Sequence, residues 1–351
     1  MNNNKVIIAI TKNGINIAQK ITSMDDTWTV YAPEKFFDET RLKINWYTDS
    51  TSNKIKDLFE NNNAVICIFS LGAVIRLIAP YLKSKKTDPA VMVIDDQANF
   101  VISVLSGHIG GANEITETIA QILDATPVIT TAADVNKTIA VDLLGREYNW
   151  KITLDENVTS VSACMVNQDS IGVYQDVGDV GWRKNLPKNV TIYQHIEEII
   201  NSNSSGSLII TDKILHDIPK NSVVYRPPSL IVGIGIHRDT KFNKIYSSIQ
   251  DCMEKFGLDI NCIAQFASVK KDIPVEGLEE LSEYMKIPIQ YLEKSELAEI
   301  QTPNPSKIVQ KFEGTASVSE AAALRISNGK LIVQKQKFPP DLTIAIARIE
   351  K

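Results

Sequence analysis

Short apolar runs alternate with stretches of helical periodicity along most of the chain. Lys5–Ile10 (KVIIAI) reads as a buried strand, Gly14–Ile21 as a short helix and Trp28–Tyr31 as a second strand, the β-α-β opening of a parallel sheet. Lys54–Glu60 predicts a helix with Ile55 and Leu58 inward. Ala64–Phe69 (AVICIF) is another buried strand, and it runs through Ser70-Leu71-Gly72 into a helix over Ala73–Leu82. Val91–Ile94 and Phe100–Leu105 flank the polar link Asp95–Asn99, the spacing of a hairpin, so this sheet is not purely parallel. Phe100–Leu105, read as buried, breaks into SGHIGGANE (106–114), after which Ile115, Ile119 and Ile122 recur at helical spacing. Pro127–Thr131 predicts a strand and Ala140–Trp150 a helix.

The pattern is weaker between 151 and 225. Val158–Val166 predicts a helix, and Ser170–Tyr174 and Ser207–Thr211 predict strands. Arg226-Pro227-Pro228 reads as a stiff linker, because paired prolines stop regular structure. A fresh strand, Leu230–Ile236, follows it, and Asp239 or Thr240 is placed to cap the helix running to Phe256. Gln265–Val269 and Pro288–Tyr291 predict strands, and Leu278–Met285, Glu293–Ile300 and Val318–Ile326 helices. Lys330–Gln334 and Leu342–Ala347 close the chain as strands. The resulting fold class is α/β: an N-terminal open-sheet domain over 1–139, a small middle α/β segment over 140–226 and a separate C-terminal α/β domain over 229–351.

Composition narrows this picture. The chain has 351 residues, 44% hydrophobic and 23% charged, with a net charge of −5, so no nucleic-acid-binding surface is expected. The N-terminus lacks the features of a signal peptide, and no apolar run is long enough to span a bilayer; a cytoplasmic, non-membrane protein is expected. Cys67, Cys164, Cys252 and Cys262 are scattered and read as buried thiols; neither they nor the dispersed histidines suggest a metal site.

Candidate chemistry gathers at strand-to-helix turns. Two such turns in one domain are expected to bring Ser70, Gly72 and the 106–114 loop to the same sheet edge as a shared anionic pocket, with Arg76 one turn into the helix. Gly107, Gly110 and Gly111 let backbone approach a ligand, and the first helical amides are candidates for binding an anion. Ser106, His108, Asn113 and Glu114 add polar groups there. Gly314-Thr315-Ala316-Ser317 opens a second amide-rich helix. Gly233 and Gly235 lack the third glycine and the acidic partner of a dinucleotide site. Lys335 and Lys337 fit either a binding role or the protection of an edge strand.

Taken together, SLGAVIRLIAPYLKSKKTDPAVMVID, SGHIGGANE, PVITTAADV, GIGIHRDT, FEGTASVSEAAAL and QKQK before LTIAIAR resemble the cobalamin-biosynthesis G proteins, the cobalt-precorrin-5A hydrolases. The resemblance covers about 64–134 and 231–348. The chain departs from the family where Ile236 follows Gly235 instead of cysteine and where Asp239 replaces a glycine; Arg238 and Thr240 match. The resemblance implies hydrolysis of a cobalt-bearing tetrapyrrole δ-lactone with loss of acetaldehyde to give cobalt-precorrin-5B. The cobalt arrives with the substrate, so no protein-held cofactor is implied. The substrate's carboxylates are expected at helix N-termini and at Arg76, Arg238, Lys335 and Lys337, with Thr240, Gly314, Thr315 and Ser317 beside them. His108 is the expected base, Gly110 and Gly111 the expected oxyanion donors, and Glu114 the group that orients His108 or acts as acid. A homodimer and transient contact with neighbouring pathway methyltransferases fit the same picture. The rival readings are a non-catalytic corrinoid carrier and a serine esterase built on Ser106, the latter lacking a G-x-S-x-G elbow.

Overall fold

The computed structural model describes residues 4–41, 43–84, 87–108, 110–132, 136, 138–305 and 317–350. The chain divides into two compact units, Met1–Leu143 and Leu144–Lys351.

The first unit is a seven-stranded sheet of order β3-β2-β1-β4-β5-β6-β7. Its strands are β1 (Lys5–Ala9), β2 (Trp28–Pro33), β3 (Ile44–Tyr47), β4 (Ala64–Ile68), β5 (Ala90–Ile94), β6 (Phe100–Leu105) and β7 (Thr126–Val128). Among the described residues, helices α1 (Lys12–Met24), α2 (Thr51–Asn61), α3 (Leu71–Ile78) and α4 (Ala112–Leu123) accompany it. The unbroken apolar runs of β1 and β4 follow from burial on both faces. Ile7, Ala9, Ile66 and Ile68 pack with Ile15, Ile21 and Ile119 on one side, and Val6, Ile8, Val65 and Cys67 with Ile55, Leu58 and Val74 on the other. β6 departs from the expected buried strand: it is mostly half-buried, and Phe100 is 48% exposed. The predicted helix over Ala140–Trp150 is instead a turn and a short 3-10 segment, because Gly145 takes φ +79 and the Trp150 ring packs where a Cβ would be.

The second unit holds two five-stranded sheets. The first, β10-β9-β11-β12-β8, uses β8 (Lys151–Leu154), β9 (Ile171–Gln175), β10 (Val190–Tyr193), β11 (Gly206–Ile210) and β12 (Ser222–Arg226). Helices α5 (Val158–Val166) and α6 (Ile196–Ile200) accompany it. The other, β15-β14-β13-β17-β16, uses β13 (Leu230–Ile236), β14 (Ile263–Val269), β15 (Ile289–Leu292), β16 (Lys330–Phe338) and β17 (Leu342–Arg348). With it go α7 (Phe242–Lys255), α8 (Glu276–Met285), α9 (Lys294–Ala298) and α10 (Val318–Ser327). Helix α7 begins after Lys241, so neither Asp239 nor Thr240 caps it. Strands β13 to β15 are parallel; β17 runs against both β13 and β16.

Gly233 explains how α10 lies flat on β13. A Cβ there would stand 1.9 Å from the Ser319 carbonyl oxygen and 2.8 Å from the Ala323 nitrogen. Gly233 therefore serves helix-on-strand packing, while a Cβ on Gly235 would meet Thr343 Oγ1 of β17 at 2.4 Å. Gly233→Ala is expected to destabilise by about 1–3 kcal/mol or more through overpacking, read as a lowered melting midpoint; an unchanged midpoint would contradict this packing.

The passage at 226–228 is not a loose linker. Arg226 is buried, with Nε 2.9 Å from Asp259 Oδ2 and Nη1 donating to the carbonyls of Thr211 (3.0 Å) and Lys213 (2.6 Å). The fully buried Asp212 takes a bidentate pair from Arg348 (2.7 and 2.8 Å) and a bond from Ser229 Oγ (3.1 Å). These charges join the two sheets of the second unit. Cys67, Cys252 and Cys262 are buried as expected, burial raising the Cys67 thiol to about 12 and Cys252 to about 11; Cys164 is only half-buried. Among the described residues, no helix is long and apolar enough to cross a membrane.

Candidate functional site

In the first unit the reversal of β6 decides which turns meet. Residues Ala64 and Ile68 of β4 pair with Ala90 and Ile94 of β5, while Val91 and Ile94 face Leu105 and Val101 of the antiparallel β6. Ser70 and Gly72 thus leave the sheet at one edge and the 106–114 loop at the opposite edge, where Ser106 Oγ donates to the Asp88 carbonyl (2.9 Å). The expected shared pocket of these two turns does not form. Ser70 and Gly72 sit at the switch between β1 and β4, and Arg76 folds back onto the Gly72 carbonyl at 3.3 Å.

The 106–114 loop closes on itself. The amides of Gly111, Ala112 and Asn113 donate to the carbonyls of His108, Ser106 and Gly107 at 3.0, 3.2 and 3.0 Å. The Gly111, Ala112 and Asn113 amides are thereby committed within the loop, which leaves the Gly111 amide unavailable as the expected oxyanion donor. Two of the three glycines are small because of the loop's own packing. A Cβ on Gly107 would meet the Asn113 side chain at 2.7 Å, and one on Gly110 would meet Ser106 Cβ at 2.5 Å. Gly111 alone takes φ +83. Asn113 is buried and works as a clip: its Oδ1 accepts from Ser103 Oγ (2.6 Å) and its Nδ2 donates to Thr131 Oγ1 (3.0 Å). This bond ties the loop to the TT that follows β7.

His108 is half-buried, with Nδ1 3.3 Å from Asp142 Oδ1. A proton on Nδ1 facing the carboxylate leaves Nε2 with the lone pair, the tautomer a general base requires. The carboxylate beside the imidazole is therefore Asp142, from the turn after β7, whereas Glu114 is exposed on the first turn of α4. Asp142 escaped notice in the sequence because its surroundings read as a helix.

In the second unit a cavity of about 1010 Å³ opens where β13, β14 and β16 leave the sheet and β17 enters it. Ligands bind at such carboxyl edges in α/β sheets, and the volume is at the upper end for ligand pockets. Arg238, Ser317, Lys335 and Lys337, from three separated sequence motifs, all line it. Lys271, which the sequence did not mark, adds a fourth cation, and Asp239 and Asp341 are the carboxylates. A protein of net charge −5 thus carries a locally cationic cavity. Thr240 is buried beneath it, its hydroxyl placed between the His237 carbonyl (3.0 Å) and Asp341 Oδ2 (2.7 Å). Ser317 Oγ and Asp341 Oδ1 are enclosed and bond to no described group. Burial pushes the Lys335 amine below the ordinary lysine value; Glu320 pulls it back up and Lys337 lowers it further. Gly314 and Thr315 lie outside the described residues.

Three family models match successive stretches: cobalamin synthesis G N-terminal over 53–134, cobalamin biosynthesis central region over 139–227 and cobalamin synthesis G C-terminus over 230–347. A Priestia megaterium protein named cobalt-precorrin-5A hydrolase is 38% identical over 352 residues, covering 98% of this chain and 94% of that protein. One of the same name from Salmonella typhimurium (strain LT2) is 30% identical, covering 93% of this chain and 92% of that protein. A crystal structure described as a cobalamin biosynthesis protein G homolog from Sulfolobus solfataricus aligns over 99% of this chain and 98% of its own, at 25% identity and a TM-score of 0.39.

Proposed function

Because the chain belongs to the cobalamin synthesis G family, we infer that it is the hydrolase that converts cobalt-precorrin-5A to cobalt-precorrin-5B in the early-cobalt route to cobalamin. The observation that carries this is the near full-length match to relatives of that name. The cationic cavity supports it chemically, since the substrate is a polycarboxylate. In this reading Arg238, Lys271, Lys335 and Lys337 take the carboxylates, and Ser317 adds a hydroxyl.

The reaction needs water activated toward the lactone carbonyl. His108 is the proposed base: Nε2 removes a proton from water, and Asp142 stabilises the imidazolium that results. Hydroxide adds to the carbonyl, and collapse of the tetrahedral intermediate breaks the acyl C–O bond, leaving the lactone oxygen as an alkoxide on the methylated meso carbon. That alkoxide becomes the aldehyde carbonyl as the bond from the meso carbon to the ring breaks; the electron pair stays on the ring carbon, which takes up the proton held by the imidazolium, and acetaldehyde leaves. The cobalt is part of the substrate, and the setting is cytoplasmic.

Purified protein incubated with cobalt-precorrin-5A is expected to yield cobalt-precorrin-5B and acetaldehyde, both read by mass spectrometry. A carrier would bind the lactone and release no aldehyde. A general esterase would also cleave simple activated esters, which this protein is expected to leave intact.

A further inference from the structure

Glu320 stands on the first turn of α10 and is wholly enclosed. Its spacing from Ser317 is that of a capping box, yet Ser317 makes no side-chain cap bond and the carboxylate turns elsewhere. Its Oε2 accepts from the Asn304 amide nitrogen (3.1 Å), and its Oε1 from Asn304 Nδ2 (2.8 Å) and the Lys335 amide nitrogen (3.0 Å). The loop closes through Lys335, whose Nζ donates to the Asn304 carbonyl. Asn304 and Lys335 both line the cavity.

We propose that Glu320 is a positioning residue, holding Asn304 and Lys335 so that the Lys335 ammonium stands in the cavity wall to receive a substrate carboxylate. This rests on the reading of the cavity as the substrate site. Three N–H donors converge on one carboxylate, and charge-assisted bonds of this kind are the strong ones. A glutamine offers a single oxygen and turns its own donors toward N–H groups, so at least one of the three loses its acceptor. The charge matters as well as the geometry, because Glu320 opposes the burial that would otherwise favour a neutral Lys335.

The test compares E320Q, K335A and the double variant with cobalt-precorrin-5A. E320Q is expected to raise KM about tenfold, the loss of one charge-assisted contact, with little change in kcat. In the K335A background the same substitution should add nothing, since coupled residues are non-additive. Lys335 in E320Q should also react faster with acetic anhydride, scored by peptide mass spectrometry. If E320Q does not fold, Asn304→Ala carries the comparison, with a KM rise that K335A abolishes. A KM rise of equal size with and without Lys335, or unchanged acylation of Lys335, would overturn the positioning role. A wild-type KM in K335A alone would instead overturn the cavity as the substrate site.

Discussion

Replacing His108 with alanine is expected to lower turnover of cobalt-precorrin-5A by about 10²–10⁴-fold, the usual contribution of a positioned acid–base group. KM should change little, because the carboxylate contacts lie elsewhere. Asp142→Asn should lower kcat in the same direction, since the amide cannot supply the charge that stabilises the imidazolium. The competing role is structural, with His108 holding the loop to the turn at 142. His108→Gln separates the two, because it keeps a donor toward Asp142 but has no basic nitrogen. Near-wild-type turnover in His108→Gln would remove the imidazole as base.

The second large effect concerns stability. Asp212→Ala strands the Arg348 guanidinium and removes the acceptor of Ser229 Oγ, where the sheets of the second unit meet. Asp212 is fully buried but the Arg348 side chain is 31% exposed, so the loss should fall below the roughly 3–5 kcal/mol that breaking a fully buried pair costs. In a unit of roughly 200 residues each kcal/mol lowers the melting midpoint by roughly 2–4 °C. Arg348→Ala should cost at least as much in its direction, because it leaves a buried carboxylate with Ser229 as its remaining side-chain donor. Replacing Asp212 with leucine and Arg348 with methionine together should recover part of the loss. Limited proteolysis offers a second readout: the 226–228 passage should resist cutting in the native chain and become cleavable in Asp212→Ala. A wild-type melting midpoint in Asp212→Ala would show that these charges do not hold the sheets together.

Much of the fold was legible because apolar runs and helical spacing are local signals. The runs KVIIAI, AVICIF and LIVGIGI each form a strand within a residue or so of the predicted bounds, and Ile55 with Leu58 marks the inner face of α2. The hairpin over Asp95–Asn99 was readable from its length and polarity, and Asp95 does tie the turn by accepting from the Phe100 amide (2.6 Å). Four-residue strands such as Ile44–Tyr47 and Val190–Tyr193 carry too few residues for a period to stand out. Chemical identity was likewise legible, because several motifs in fixed order are far more specific than any one of them.

Sequence alone determined the α/β class, the positions of the main strands and the family, since each depends on residues close together in the chain or on motif order. The tertiary structure decided which motifs share a place. Pairing direction is set by contacts between strands, and the reversal of β6 sends SGHIGGANE away from Ser70 and Gly72. Hydrogen-bond closure within the loop converts Asn113 and the Gly111 amide from candidate ligand groups into internal ones. Asp142 reaches His108 across 34 residues, and Arg348 reaches Asp212 across 136. Arg238, Lys271, Ser317 and Lys335 are brought to one cavity by three strands and a helix. Such meetings come from packing and long-range pairing, which no window along the chain contains.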